Sequence, residues 1–152
     1  PPALLPRPSF APHLILTLPL VTPLTLPRAH LAAHTRVEPP STNYPPAHDV
    51  DMGRQAAAAA RTTLPLMRDD NVTSFVQDTG RRLVAAIPQE LRHPEFQYTF
   101  EVVNVKEINA FALPGGPMFV NRRMIEAAHS DGEVAVVMAH ELSHVLLRHG
   151  TA

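Results

Sequence analysis

The apolar side chains change period several times along the chain, and each change marks an element. Val72, Phe75, Val76, Thr79, Leu83, Val84 and Ile87 recur at three- and four-residue steps, the spacing of one helical face. Asp69 or Asp70 can cap the start of this helix, and Pro88 ends it. Upstream, the alanine run at 56–60 predicts a helix over 49–62 that stops before Pro65. Across 96–105 the period falls to two. Phe96, Tyr98, Phe100 and Val102 alternate with polar residues, as in a half-buried strand. The apolar phase then shifts at Val103 and Val105, through either a bulge or the start of burial on both faces. Short apolar runs at 110–113 and 118–120 flank Pro114-Gly115-Gly116-Pro117 and read as a hairpin with a Gly-bearing turn. A short helical stretch follows at 124–128.

Ser130-Asp131-Gly132-Glu133 has the capping-box pattern. The Ser130 hydroxyl can accept from the Glu133 amide, and the Glu133 carboxylate can reach back to the Ser130 amide. A helix is expected over 131–149, with Gly150 past its end. Val134, Val137, Met138, Leu142, Val145 and Leu146 cover much of its circumference, so it belongs inside a domain. The order helix, helix, antiparallel strands, helix predicts an α+β domain, with the last helix packed on a small antiparallel sheet.

Composition divides the chain of 152 residues. Of its 17 Pro, 12 fall in the first 46 residues, which hold no Gly and one acid, Glu38. We read residues 1–48 as a Pro-rich low-complexity leader and 49–152 as the globular part. Pro this dense forbids helix and central strand. The apolar run at 14–26 is too short to span a bilayer, which needs about 20 apolar residues. Arg7 ahead of that run and the small residues at 29–33 suggest a degenerate signal peptide as the alternative to a disordered leader. A start at Pro, not Met, suggests a processed product or an incomplete fragment. With no Cys, a disulfide scaffold, a thiol nucleophile and a Cys-ligated metal are excluded. A net charge of −1 offers no broad basic surface, so no nucleic-acid partner is expected.

The candidate chemistry lies in the last helix, at His140-Glu141-Leu142-Ser143-His144, an HExxH motif. Four residues turn a helix by about 400°, so the two His lie about 40° apart and about 6 Å along the axis. Both imidazoles can then reach one zinc ion (Zn2+). Glu141 sits about 100° round from His140, beside the ion and not on it. The expected mechanism is peptide hydrolysis through a zinc-bound water, with Glu141 as general base. A catalytic zinc takes three protein ligands plus water, and the third is missing from view. A metzincin pattern would need Gly at 147 and His at 150, where Leu147 and Gly150 stand. On a continuous helix His149 lies about 140° from His144, so it reads as a C-terminal helix residue facing the dipole, not as a ligand. His48, His93 and His129 read as exposed loop residues.

Residues from about Val50 to Ala152 resemble the front of the catalytic domain of zinc metallopeptidase family forty-eight, the family of HtpX, the CAAX prenyl protease and the periplasmic outer-membrane-assembly proteases. The matching features are Gly53-Arg54-Gln55-Ala56, the run Asn109 to Gly116 (NAFALPGG), the strand Met118 to Asn121, and the helix Val137 to Val145 around HELSH. The resemblance implies a zincin-like fold of the Glu-ligand type, here truncated. It makes His140 and His144 zinc ligands, Glu141 the catalytic base, and a Glu on a later helix the third ligand. It also implies that Asn109, Ala110, Phe111 and Ala112 form a sheet edge where a polypeptide substrate adds as a strand. Export to the periplasm or a membrane-associated location follows from the same resemblance, with any membrane association carried by sequence outside this chain. The alternative function is an inactive fragment or binding module that keeps the HExxH helix without a complete zinc site.

Overall fold

The computed structural model describes residues 39–152; the greater part of the expected leader lies outside them. Helix α1 spans Pro46–Thr63 and starts ahead of the expected Asp49. Pro45 and Pro46 explain the earlier start, since the fixed proline φ suits a first helical turn whose N–H groups have no partner. Helix α2, Asp70–Ala85, is capped by Asp69, whose carboxylate accepts from the Asn71 and Val72 amides at 3.0 and 3.2 Å. A 3-10 turn at Gln89–Leu91 leads to strand β1, Thr99–Val103. Strands β2, Ala110–Ala112, and β3, Pro117–Asn121, form the expected hairpin, with Gly115 and Gly116 at φ 74° and 123° in its turn. Helices α3, Arg122–Ala127, and α4, Asp131–Leu146, complete the order.

The sheet is mixed, which corrects the antiparallel expectation. Its order is β1-β3-β2; β1 runs parallel to β3 (Thr99↔Pro117 to Val103↔Asn121), and β2 is antiparallel to it. The reason is the crossing at 104–109. It carries the chain past the central position, so the second hairpin strand returns between β1 and β2. All five residues of β3 are accordingly buried.

Helices cover both faces of this sheet. Ala57 of α1 packs with Val103, Phe119, Phe111 and Leu113 on one side. On the other, Val76 of α2 and Met138 and Leu142 of α4 pack with Phe100, Val102, Met118 and Val120. Val102 and Val103 thus face opposite layers and are both buried. The phase shift in the sequence is full burial and not a bulge, because the pairing runs in regular register through it. Backbone bonds from Met67 to Val102 (2.8 Å) and from Asn104 to Pro65 (2.7 Å) cover part of the outer edge of β1. Helix α1 approaches the hairpin turn very closely: a Cβ on Gly53 would lie 1.7 Å from the Pro114 carbonyl oxygen.

Three local expectations change. Helix α4 ends at Leu146, not His149, and the residue in the left-handed region is Arg148 (φ 57°), not Gly150. The Arg148 and His149 amides donate to the Val145 and His144 carbonyls, both at 3.0 Å, which is the Schellman termination. In the capping box, Ser130 accepts from the Glu133 amide as expected, but the Glu133 carboxylate accepts from the His129 amide at 2.8 Å, one residue before Ser130. His129 is exposed, whereas His93 is half-buried with Nε2 3.1 Å from the Leu146 carbonyl oxygen, and His48, half-buried in the first turn of α1, stacks on Tyr44 ahead of the helix.

Candidate metal centre

Burial of one side of α4 fixes where the HExxH residues point. Val134, Met138, Leu142, Val145 and Leu146 are the buried positions of the helix. They turn His140 and His144 outward, and both are exposed, while Glu141 is partly buried. The two imidazoles meet edge to face with centroids 4.7 Å apart, and their Nε2 atoms are 3.1 Å apart. Two nitrogens bound to one tetrahedral zinc at about 2.0–2.1 Å stand about 3.3 Å apart. The pair therefore fits a shared ion with a shift of a few tenths of an ångström. Among the described residues no group of three or more His, Cys, Asp or Glu side chains is placed to hold one ion.

His149 occupies a place that helical geometry did not predict. Because the helix stops before it, the chain folds back and sets the His149 Nδ1 2.6 Å from the His144 Nδ1, with ring centroids 4.9 Å apart. It lies against the side of the His144 ring opposite the nitrogen that faces His140.

The edge strand is brought to the centre at one end. Ala112, Leu113 and Pro114 line a cavity of about 40 Å³ with His144, Val145, Arg148 and Asp49. Asn109 is exposed at the far end of β2, and Ala110 is buried. Phe111 stacks on Phe119 at 5.2 Å on the α1 side of the sheet, away from α4. Of the four expected substrate contacts, Ala112 is the one that shares this cavity with a motif histidine.

Two of the lining residues, Asp49 and Arg148, belong to a buried polar cluster. Asp49 accepts from Arg148 Nε at 3.1 Å, from an Arg148 terminal nitrogen at 2.6 Å and from the Thr151 hydroxyl at 2.6 Å. Arg148 also donates to the Tyr44 carbonyl at 2.6 Å. Burial pushes the Asp49 carboxyl up, but the hydrogen bonds from Arg148 and Thr151, with the Arg148 charge, outweigh it and hold its pKa below the usual value. Sequence reading missed Asp49, Arg148 and His149 as neighbours of the motif. A polar side chain on the first turn of α1, inside a helix otherwise rich in alanine, was the one available signal for Asp49.

A family model described as Peptidase family M48 matches residues 72–152. The beta-barrel assembly-enhancing protease of Yersinia pestis is 35% identical over 101 residues, covering 66% of this chain and 20% of that protein. The protein of the same name from Escherichia coli (strain K12) is 33% identical over the same length. The mitochondrial metalloendopeptidase OMA1 of Arabidopsis thaliana is 44% identical over 48 residues, 32% of this chain and 10% of that one. The chain spans about a fifth of the length of the beta-barrel assembly-enhancing proteases it matches.

Proposed function

The chain belongs to peptidase family M48, a family of metallopeptidases, and from that premise we propose that it carries the zinc-binding helix of a zinc-dependent metalloendopeptidase. The observation that supports this most is the pair of exposed histidines on α4 whose Nε2 atoms lie 3.1 Å apart, with Glu141 next to the first of them in the chain. Residues 49–152 would form the N-terminal portion of a zincin-like domain of the Glu-ligand type, with the third ligand, a Glu, contributed from outside this chain.

His140 and His144 would hold the ion through their Nε2 atoms. Bound there, zinc supplies Lewis acidity, polarising a peptide carbonyl and making water easier to deprotonate. The Glu141 carboxylate would take a proton from a water as its oxygen bonds to the peptide carbonyl carbon, and would give that proton to the amine nitrogen as the C–N bond breaks. A polypeptide substrate lies along the free edge of β2. The Asn109 carbonyl and the Leu113 amide bond towards β3, so the backbone groups of Ala110 and Ala112 face the other way. An extended peptide pairing with them would run its chain past His144.

Among the described residues no helix is long and apolar enough to cross a membrane. The location that fits this reading is periplasmic or membrane-associated, on the likeness to the beta-barrel assembly-enhancing proteases. The test uses the full-length gene product: zinc content by metal analysis and casein cleavage, for the wild type and Glu141→Gln. Stoichiometric zinc in both, with cleavage lost in Glu141→Gln, is expected. A folded, metal-free wild type contradicts the proposal.

A further inference from the structure

The contact between His144 and His149 lies outside the motif and needs its own explanation. Three observations bear on it. The Schellman termination brings together the side chains of the third-from-last helical residue and of the second residue past the cap, which here is Leu147. Those residues are His144 and His149, joined by the 3.0 Å backbone bond. An apolar pair usually fills that contact, whereas here two imidazoles do, with Nδ1 atoms 2.6 Å apart. The termination is also anchored from a distance: Arg148, the left-handed residue, bonds to Asp49, Thr151 bonds to the same carboxylate, and both bonds cross from the far end of the described chain.

We infer that His149 is a positioning residue for the zinc-binding helix, holding the His144 imidazole in the tautomer and orientation that leave Nε2 free for the ion. The inference rests on the proposed role of His144. A neutral imidazole carries one proton, so a His144 that gives its Nε2 lone pair to a metal must keep its proton on Nδ1. That proton needs an acceptor, and the His149 Nδ1 is the atom in reach. His149 must then carry its own proton on Nε2, which points away from the contact. Such an outer hydrogen bond fixes the ring plane and strengthens the ligand, and losing one costs about 10–100-fold in metal affinity. The Asp49–Arg148–Thr151 cluster serves the same end, because it holds the backbone turn on which His149 sits.

The experiment measures Zn2+ affinity by competition with a chromophoric chelator for the full-length gene product as wild type, His149→Ala, His149→Asn and His140→Ala. His149 is exposed, so the variants should keep the wild-type melting temperature in the absence of zinc. The expected result is an affinity about 10–100-fold lower for His149→Ala. His149→Asn keeps an acceptor oxygen close to the Nδ1 position and should recover at least half of that loss on a logarithmic scale. In the zinc-loaded wild type, proton NMR should show a slowly exchanging downfield His144 Nδ1–H that disappears in His149→Ala. Unchanged affinity in His149→Ala, or a loss that His149→Asn does not recover, overturns the inference. His140→Ala separates the two levels. If it also binds zinc normally, the metal assignment itself falls; if it loses zinc while His149→Ala does not, only the role of His149 falls.

Discussion

Replacing Asp49 by Ala tests the cluster that shapes the C-terminal end of α4. The Asp49 side chain is 1% exposed and that of Arg148 11%, so the substitution leaves a guanidinium buried beside a gap. A guanidinium is not deprotonated inside proteins, so the charge stays with the orphaned side chain. Removing one partner of a buried pair costs about 3–5 kcal/mol, most of it the uncompensated charge. Here one donor still reaches the Tyr44 carbonyl at 2.6 Å, which places the expected loss near the lower end, at about 3 kcal/mol. Urea unfolding followed by circular dichroism reads this directly. With a slope of about 1–3 kcal/mol per molar, the midpoint should fall by about 1–3 M. The double variant Asp49→Ala/Arg148→Ala should lose less than the sum of the two single losses, since it buries no orphan charge. The pH dependence has a definite sign. The Asp49 pKa is lowered on folding, so its stabilisation is complete above the unfolded value of about 3.9 and fades as pH falls through the folded value. The gap between wild type and Asp49→Ala should be flat from about pH 5 to 7 and narrow below about pH 4. A loss under about 1 kcal/mol at neutral pH, or strict additivity in the double variant, would refute the reasoning.

Other substitutions probe the remaining contacts. Arg148→Gly should unfold at higher urea than Arg148→Ala by about 1 kcal/mol, because both lose the ion pair but only glycine relieves the left-handed backbone; equal midpoints would contradict that account. Gly53→Ala should lower the thermal midpoint markedly, at a cost of about 1–3 kcal/mol or more, since its Cβ would overlap the Pro114 carbonyl oxygen at 1.7 Å. An unchanged melting curve would show that α1 does not press on the hairpin turn. Met138→Ala removes a fully buried side chain between α4 and the sheet and should cost about 2–5 kcal/mol in chemical unfolding.

The helices were legible in the sequence wherever one local pattern sufficed. The stripe from Val72 to Ile87 and the cap at Asp69 define α2, and Ser130 with Glu133 starts α4. The hairpin was legible because only glycine accepts the backbone angles found at Gly115 and Gly116 without strain. The parallel pairing of β1 with β3 was not. Alternation fixes which side chains face the core, not which neighbour a strand takes or in which direction. The nearness of His140 to His144 follows from helical spacing alone. The position of His149 does not, because the helix ends early under a bond from Arg148 to Asp49, 99 residues away in the chain. A local reading would have ended the helix at Gly150, the residue most tolerant of a positive φ. The tertiary ion pair imposes that angle on an arginine instead.

The central claim is that one metal ion is held by two imidazoles of a single helix. X-ray absorption at the zinc edge counts such ligands without reference to activity. The zinc-loaded wild type should show His140 and His144 as two imidazole nitrogens at about 2.0–2.1 Å, and His140→Ala and His144→Ala should each remove one. A zinc shell that is unchanged in either variant would contradict the account.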